Sequence, residues 1–133
     1  MKGKVLVVSG TRRILDEDEI SRKVAPFLER ALKDAVVVHV GDCPTGIDWI
    51  VGAMVHSVPV RVHEAYWDEE GHRAGPERNR RMLTAAQEQA GRLHLPVLLT
   101  AFPNGLKHEE SPGTWSTIKI ANEMRVPVEI TPV

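Results

Sequence analysis

Cysteine is almost missing from this chain. Cys43 stands alone, so no disulfide framework can form within it. Aromatic residues make up only 5% of the sequence, too few for the interleaved stacking platform of a single-strand nucleic-acid binder. Neither sign of charge dominates. The 17 Lys and Arg against 18 Asp and Glu leave a formal net charge of -1, which argues against wrapping nucleic acid as a main task. No apolar run approaches the ~18 residues needed to span a bilayer. The run Val5, Leu6, Val7, Val8 is too short for a secretory signal. What is present is a chain of 133 residues, 42% hydrophobic and 26% charged, close to the size of one typical domain. The expectation is a soluble, cytoplasmic, single domain over residues 1–133, with no membrane association.

Short β-branched runs alternate with longer amphipathic stretches. Lys4 to Ser9, ended by Gly10, reads as a buried strand, and so does Ala35 to Val40, ended by Gly41. Val58 to His63, Leu95 to Phe102 and Pro127 to Ile130 read as three more, with Pro59 near the start of its strand. Ile20, Val24, Phe27, Leu28 and Leu32 form a helical stripe over Asp16 to Lys33, with a kink or restart expected at Pro26. Ile47, Ile50, Val51, Met54 and Val55 make a second helical face, and Thr45 with Asp48 resembles a capping box at its start. Glu64 to Gly75 reads as a polar loop. Pro76 then suits the first turn of a helix carrying Met82, Leu83, Ala86 and Ala90. Ser111-Pro112 signals the start of a last helix with Trp115, Ile118 and Ala121. This order predicts an α/β fold: a Rossmann-like three-layer sandwich, its mostly parallel sheet of about five strands covered on both faces by helices.

In an open α/β sheet, ligands bind beyond the carboxyl ends of the strands, near the switch in strand order. The residues after each strand are therefore the informative ones. They are Ser9-Gly10-Thr11-Arg12; then Gly41-Asp42-Cys43-Pro44-Thr45-Gly46; then Tyr66 and Trp67 with Gly75-Pro76-Glu77-Arg78-Asn79-Arg80; then Pro103-Asn104-Gly105 and Ser111-Pro112-Gly113-Thr114. The ligand-contact candidates are Ser9, Gly10, Thr11, Arg12, Gly41, Asp42, Thr45, Gly46, Asp48, Trp67, Arg78, Asn79, Gly105, Gly113 and Thr114. Glycine lets backbone N–H groups approach an anion closely, and a following helix start adds free donors and a positive dipole end. Arg12 and Arg78 can offer a planar fork to a phosphate. Four glycine-bearing loops at one sheet edge point to a nucleotide-like ligand, with no cofactor required.

Those motifs, Ser9-Gly10-Thr11-Arg12, Gly41 to Asp48, Trp67, Gly75-Pro76-Glu77-Arg78-Asn79 and Pro103 to Thr114, resemble the SLOG superfamily and within it the YspA/YpsA-related branch of small stand-alone domains. The resemblance spans nearly the whole chain. It implies a Rossmann-like domain that binds nucleotides or derivatives such as ADP-ribose, acting as a ligand sensor with little turnover. Other branches are phosphoribohydrolases of nucleoside monophosphates, or bind single-stranded DNA. Two departures stand out. The second loop has Asp42 where the family places a second glycine; a carboxylate there repels a phosphate or accepts a ribose hydroxyl. The hydrolase branch's Pro-Gly-Gly-x-Gly-Thr run is split here between Pro103-Asn104-Gly105 and Gly113-Thr114, and no carboxylate follows Thr114 closely. Glu109 and Glu110 could replace it only if their loop folds inward.

Plainer roles compete with these. Arg12 could pair with Asp16 or Glu17, Asp48 could simply face a helix dipole or also make a ribose or structural hydrogen bond, and Trp67 could anchor its loop as readily as stack on a ligand. Within the cluster Arg73, Arg78, Arg80 and Arg81, the last two suit solvent or a subunit interface. Trp115 suits the core or an interface, His39 the core, and Cys43 a small loop position. The six histidines show no metal-ligand spacing, so no metal is expected. Three functions follow in order: a nucleotide-binding domain, an N-glycosidase or phosphoribohydrolase, and a single-strand nucleic-acid binder. A homo-oligomer through the exposed face of the Met82 helix is compatible with the sequence.

Overall fold

The computed structural model describes residues 2–133. Five strands, β1 (Lys4–Gly10), β2 (Ala35–Gly41), β3 (Val60–His63), β4 (Val97–Phe102) and β5 (Val128–Ile130), form one sheet in the order β3-β2-β1-β4-β5. Every neighbouring pair is parallel. The chain winds outward from β1 to β3, then crosses back to β4 on the other side of β1, so the order reverses between β1 and β4. This is a Rossmann-like α/β fold.

Alternation along β1 divides the core. Leu6 and Val8 face a layer made by α2 (Ala25–Leu32), which the short α1 (Glu17–Glu19) leads into, and α3 (Ile47–Met54), where Leu28, Ile47 and Ile50 are buried. Val5 and Val7 face α5 (Ala74–Leu93) and α6 (Pro112–Glu123), where Met82, Leu83 and Ile118 are buried. A central parallel strand is covered on both sides, which is why its sequence is continuously apolar. No helix among the described residues is long and apolar enough to cross a membrane.

Several element boundaries differ from the sequence expectation, each for a local reason. The first helix is interrupted by a π-helical turn, Ile20–Val24, in which the Ala25 N–H reaches back to the Ile20 carbonyl. Pro26 has no N–H to give the next carbonyl, and its ring crowds that turn, so the ladder widens just before it. Strand β3 starts at Val60, after Pro59, whose carbonyl still accepts from the Val38 N–H at 2.9 Å. Likewise β4 starts at Val97, after Pro96, whose carbonyl accepts from the Val5 N–H at 2.9 Å. The expected polar loop is instead a strap of two short turns, α4 (Trp67–Glu70) and a 3-10 turn at Gly71–Arg73, running directly into α5. The Arg81 guanidinium holds the strap: it bonds Glu70, donates to the Glu64 carbonyl and lies 4.7 Å from the Tyr66 ring centre. Arg81 is thus tied within the chain, and Arg80 pairs with Glu123 at 3.6 Å.

The capping box expected at Thr45 and Asp48 does not form. Gly46 precedes α3 with a φ of +74°, a conformation that costs glycine little, and this turns Thr45 toward the β1–α1 loop. The Thr45 hydroxyl donates to the Arg12 carbonyl at 2.7 Å, and Asp48 accepts from the Cys43 N–H at 3.1 Å. Together with the Ile47 N–H bonding the Thr11 carbonyl at 3.0 Å, these bonds tie the loops after β1 and β2 to each other.

Candidate functional site

A cleft of about 310 Å³ opens where the order reverses, beyond the carboxyl ends of β1, β2 and β4. Of the residues singled out in the sequence, Ser9, Gly10, Thr11, Arg12, Gly41, Asp48, Arg78, Asn79, Gly113 and Thr114 line it. Asp42, Thr45, Gly46, Trp67 and Gly105 do not. Each of these five has another place. Thr45 and Gly46 form the junction described above. Gly105, with a φ of +68°, donates its N–H to the Val133 carbonyl at 3.2 Å. Trp67 lies over the backbone of Gly75, and the Arg12 guanidinium sits 5.8 Å from its ring centre. Asp42 accepts from Arg78 Nη1 at 2.8 Å and from the Ala65 N–H at 3.2 Å.

Arg78 sits in the second turn of α5 and is only 7% exposed. A buried guanidinium needs partners. Nε donates to Asn79 Oδ1 at 2.9 Å, and Nη1 donates to Asp42 and, at 3.4 Å, to the His63 carbonyl. Asp42 therefore serves as the counter-charge of Arg78, a third reading beside phosphate repulsion and ribose binding. The Arg12 guanidinium makes no ion pair among the described residues; neither Asp16 nor Glu17 meets it.

The far wall is the start of α6. Ser111 and Pro112 occupy the cap and first positions as the sequence predicts, but the Ser111 hydroxyl accepts from the Asn104 N–H at 2.6 Å and leaves the helix uncapped. The Gly113 and Thr114 N–H groups precede the first intrahelical bond, which the Trp115 N–H makes to the Ser111 carbonyl at 3.1 Å. A buried network positions this start. Asn79 Nδ2 and the Thr117 hydroxyl both donate to the Gly113 carbonyl, and the Ser9 hydroxyl donates to Thr117 at 3.3 Å. Gly113 has open space where a side chain would be, so its backbone can meet a ligand.

No protein-family model, curated protein or solved structure matches this chain.

Sequence reasoning passed over Arg13 as a lining residue; Asn104 and Ser111, which it placed in the informative loop after β4, line the cleft too. Arg13 is neutralised by Glu19 at 2.8 Å and bonds Asn104 at 2.9 Å, so it fixes the rim. Its adjacency to Arg12 was the available signal. Cys43 also lines the cleft. Of the two loop carboxylates, Glu110 reaches the rim and Glu109 lies along a separate groove beside α6. Asp48 is the second carboxylate lining the cleft. Burial pushes its carboxyl above the usual value, against the lowering pull of the Cys43 N–H and Arg78.

Behind the cleft, on the α5 side of the sheet, Gln89, His39 and His63 form a chain. His39 meets Gln89 Oε1 at 2.6 Å and His63 at 2.8 Å. His39 is buried and satisfied, as a core histidine should be. Burial lowers both rings, His63 to about 4, with His39 and Arg78 adding to the effect on His63. Trp115 packs against the α5–α6 core with the His108 ring stacked on it at 4.2 Å.

Proposed function

We propose that this domain binds a nucleotide or a nucleotide derivative, of the ADP-ribose or nucleoside monophosphate kind, in the cleft between β1 and β4. The observation that carries the reading is the pairing of an uncapped helix start with cations at the switch in strand order. The Gly113 and Thr114 N–H groups and the α6 dipole favour a phosphate at the start of α6, and Arg12, without an ion pair among the described residues, adds positive charge to the lining. The volume suits a ligand of mononucleotide size, at the lower end of small-molecule pockets. The resemblance to the SLOG superfamily points the same way. On this reading the domain is a sensor or binding module with little turnover.

Calorimetry with ADP-ribose, NAD and nucleoside monophosphates tests it. Saturable one-to-one binding that weakens on Arg12→Ala supports the reading. No heat from any of them at millimolar ligand would count decisively against it.

A specific observation favours a second reading, N-glycosidic hydrolysis. Asp48 and Glu110 both line the cleft, although no carboxylate follows Thr114 closely in sequence. A buried carboxyl with a raised pKa suits general acid–base work. Release of free base from a nucleoside monophosphate, lost in Asp48→Asn or Glu110→Gln, would establish hydrolysis. A null assay over a broad nucleotide panel would leave binding alone.

A further inference from the structure

The floor of the cleft differs from its wall. Where a Cβ on Gly41 would stand, Arg78 Nη1 and, at 2.6 Å, Asp48 Oδ2 already crowd the space. A cation and a carboxylate therefore share the floor. Three of their five polar side-chain atoms have partners. Arg78 uses Nε on Asn79 and Nη1 on Asp42 and the His63 carbonyl; Asp48 uses Oδ2 on the Cys43 N–H. Arg78 Nη2 and Asp48 Oδ1 are left without a partner among the described residues. Neither is sealed from solvent, since the sealed and unpartnered side-chain atoms among those residues are Thr100 Oγ1 and Trp115 Nε1. Both side chains line the cleft, and Arg78 is more than nine-tenths buried.

A free donor and a free acceptor lining one cleft suit a particular kind of group. A phosphate oxygen would satisfy Arg78 but meet the Asp48 carboxylate at close range. A hydroxyl can accept from one and donate to the other. A vicinal diol does so with two atoms. The start of α6 offers only donors, its first N–H groups. The cleft thus has an anion end and a hydroxyl end.

We infer that Asp48 and Arg78 form a ribose subsite, which makes the ligand a ribonucleotide held by its 2′,3′-diol on the Gly41 floor with its phosphate against α6. This inference rests on the nucleotide reading above and assigns the sugar. Asp48 is then a specificity-determining residue. It accepts from the diol and repels any second anion placed on the floor.

The test compares the four ribonucleoside monophosphates with their 2′-deoxy counterparts by calorimetry, on the intact chain and on Asp48→Asn. In the variant, the amide oxygen keeps the bond from the Cys43 N–H, so its NH₂ takes the place of Oδ1 and the acceptor becomes a donor. The parent chain should bind the ribo forms about tenfold or more tightly than the deoxy forms, the loss expected when a buried acceptor goes unpaired. In Asp48→Asn the preference should fall below about threefold, and inorganic pyrophosphate should bind more tightly than to the parent. Circular dichroism and a thermal melt establish that the variant is folded; if it is not, Asp48→Glu serves, since its longer carboxylate misplaces the acceptor and must also lose the preference. Equal affinity for ribo and deoxy forms in the parent overturns the ribose subsite and leaves nucleotide binding standing. A preference that survives in the folded variants assigns discrimination elsewhere and overturns the role of Asp48. No binding of any monophosphate overturns both.

Discussion

Gly41 shows how one missing atom makes a site. A methyl group there would overlap Arg78 and Asp48, so Gly41→Ala should push both side chains from the floor. Ligand affinity should fall about tenfold or more, with roughly 1–3 kcal/mol lost from stability through overpacking. Calorimetry and urea unfolding measure the two effects separately, and unchanged affinity would refute the role given to the floor. A second residue-scale prediction concerns His63. Burial holds its ring down to about 4, whereas an unfolded histidine titrates near 6.5. Between those values the unfolded chain binds more protons than the folded one. Stability therefore rises with pH through this window and is lost as pH falls. The urea midpoint should drop between about pH 7 and about pH 4.5, and His63→Gln should flatten that decline. A variant as acid-sensitive as its parent would show that other groups carry the effect. The sequence identified Arg12 and Arg78 as cations near the site but not their states. The partner that neutralises Arg78 is Asp42, on a loop 36 residues away, and chain separation says nothing about such a contact.

At the scale of elements, the joints between loops control the site. Gly46 combines a positive φ with a backbone packed against the Thr11 carbonyl. Gly46→Ala should cost about 2–4 kcal/mol, combining backbone strain with a steric shift. It should also separate the loops after β1 and β2, weakening ligand binding more than a core substitution of equal cost. Thermal melts paired with calorimetry give that comparison. The strap over α5 depends on Arg81. Arg81→Ala removes its ties to Glu70, Glu64 and Tyr66 and should speed proteolytic cleavage within residues 64–73, leaving the rest of the chain protected. Cleavage at the parent's rate would mean that α4 holds itself in place. Helical periodicity revealed α2, α3, α5 and α6. It was silent on α4, whose four residues Trp67, Asp68, Glu69 and Glu70 are too few for a period to show. It also could not distinguish a capping Ser111 from one that bonds Asn104, because both begin with the same dipeptide.

For the whole molecule, two apolar layers clasp one sheet, and Phe102 ties the end of β4 into the layer of α2 and α3. It is fully buried, so Phe102→Ala should cost about 3–5 kcal/mol and lower stability as a single cooperative transition. Separate transitions for the two layers would contradict the shared sheet. The parallel sheet, its two covered faces and the rim where the loops gather were all determined by the sequence alone. Alternating βα periods with apolar central strands admit few other arrangements, and right-handed crossovers then fix the edge on which the loops gather. Only the tertiary structure decided the charge pattern at that rim. Arg13 meets Glu19, Arg78 meets Asp42, and Arg12 keeps its charge unpaired beside Trp67. The reason is physical: periodicity is a local property of the chain, whereas ion pairing depends on where independent loops cross, and a few ångströms there decide which charge remains for a ligand.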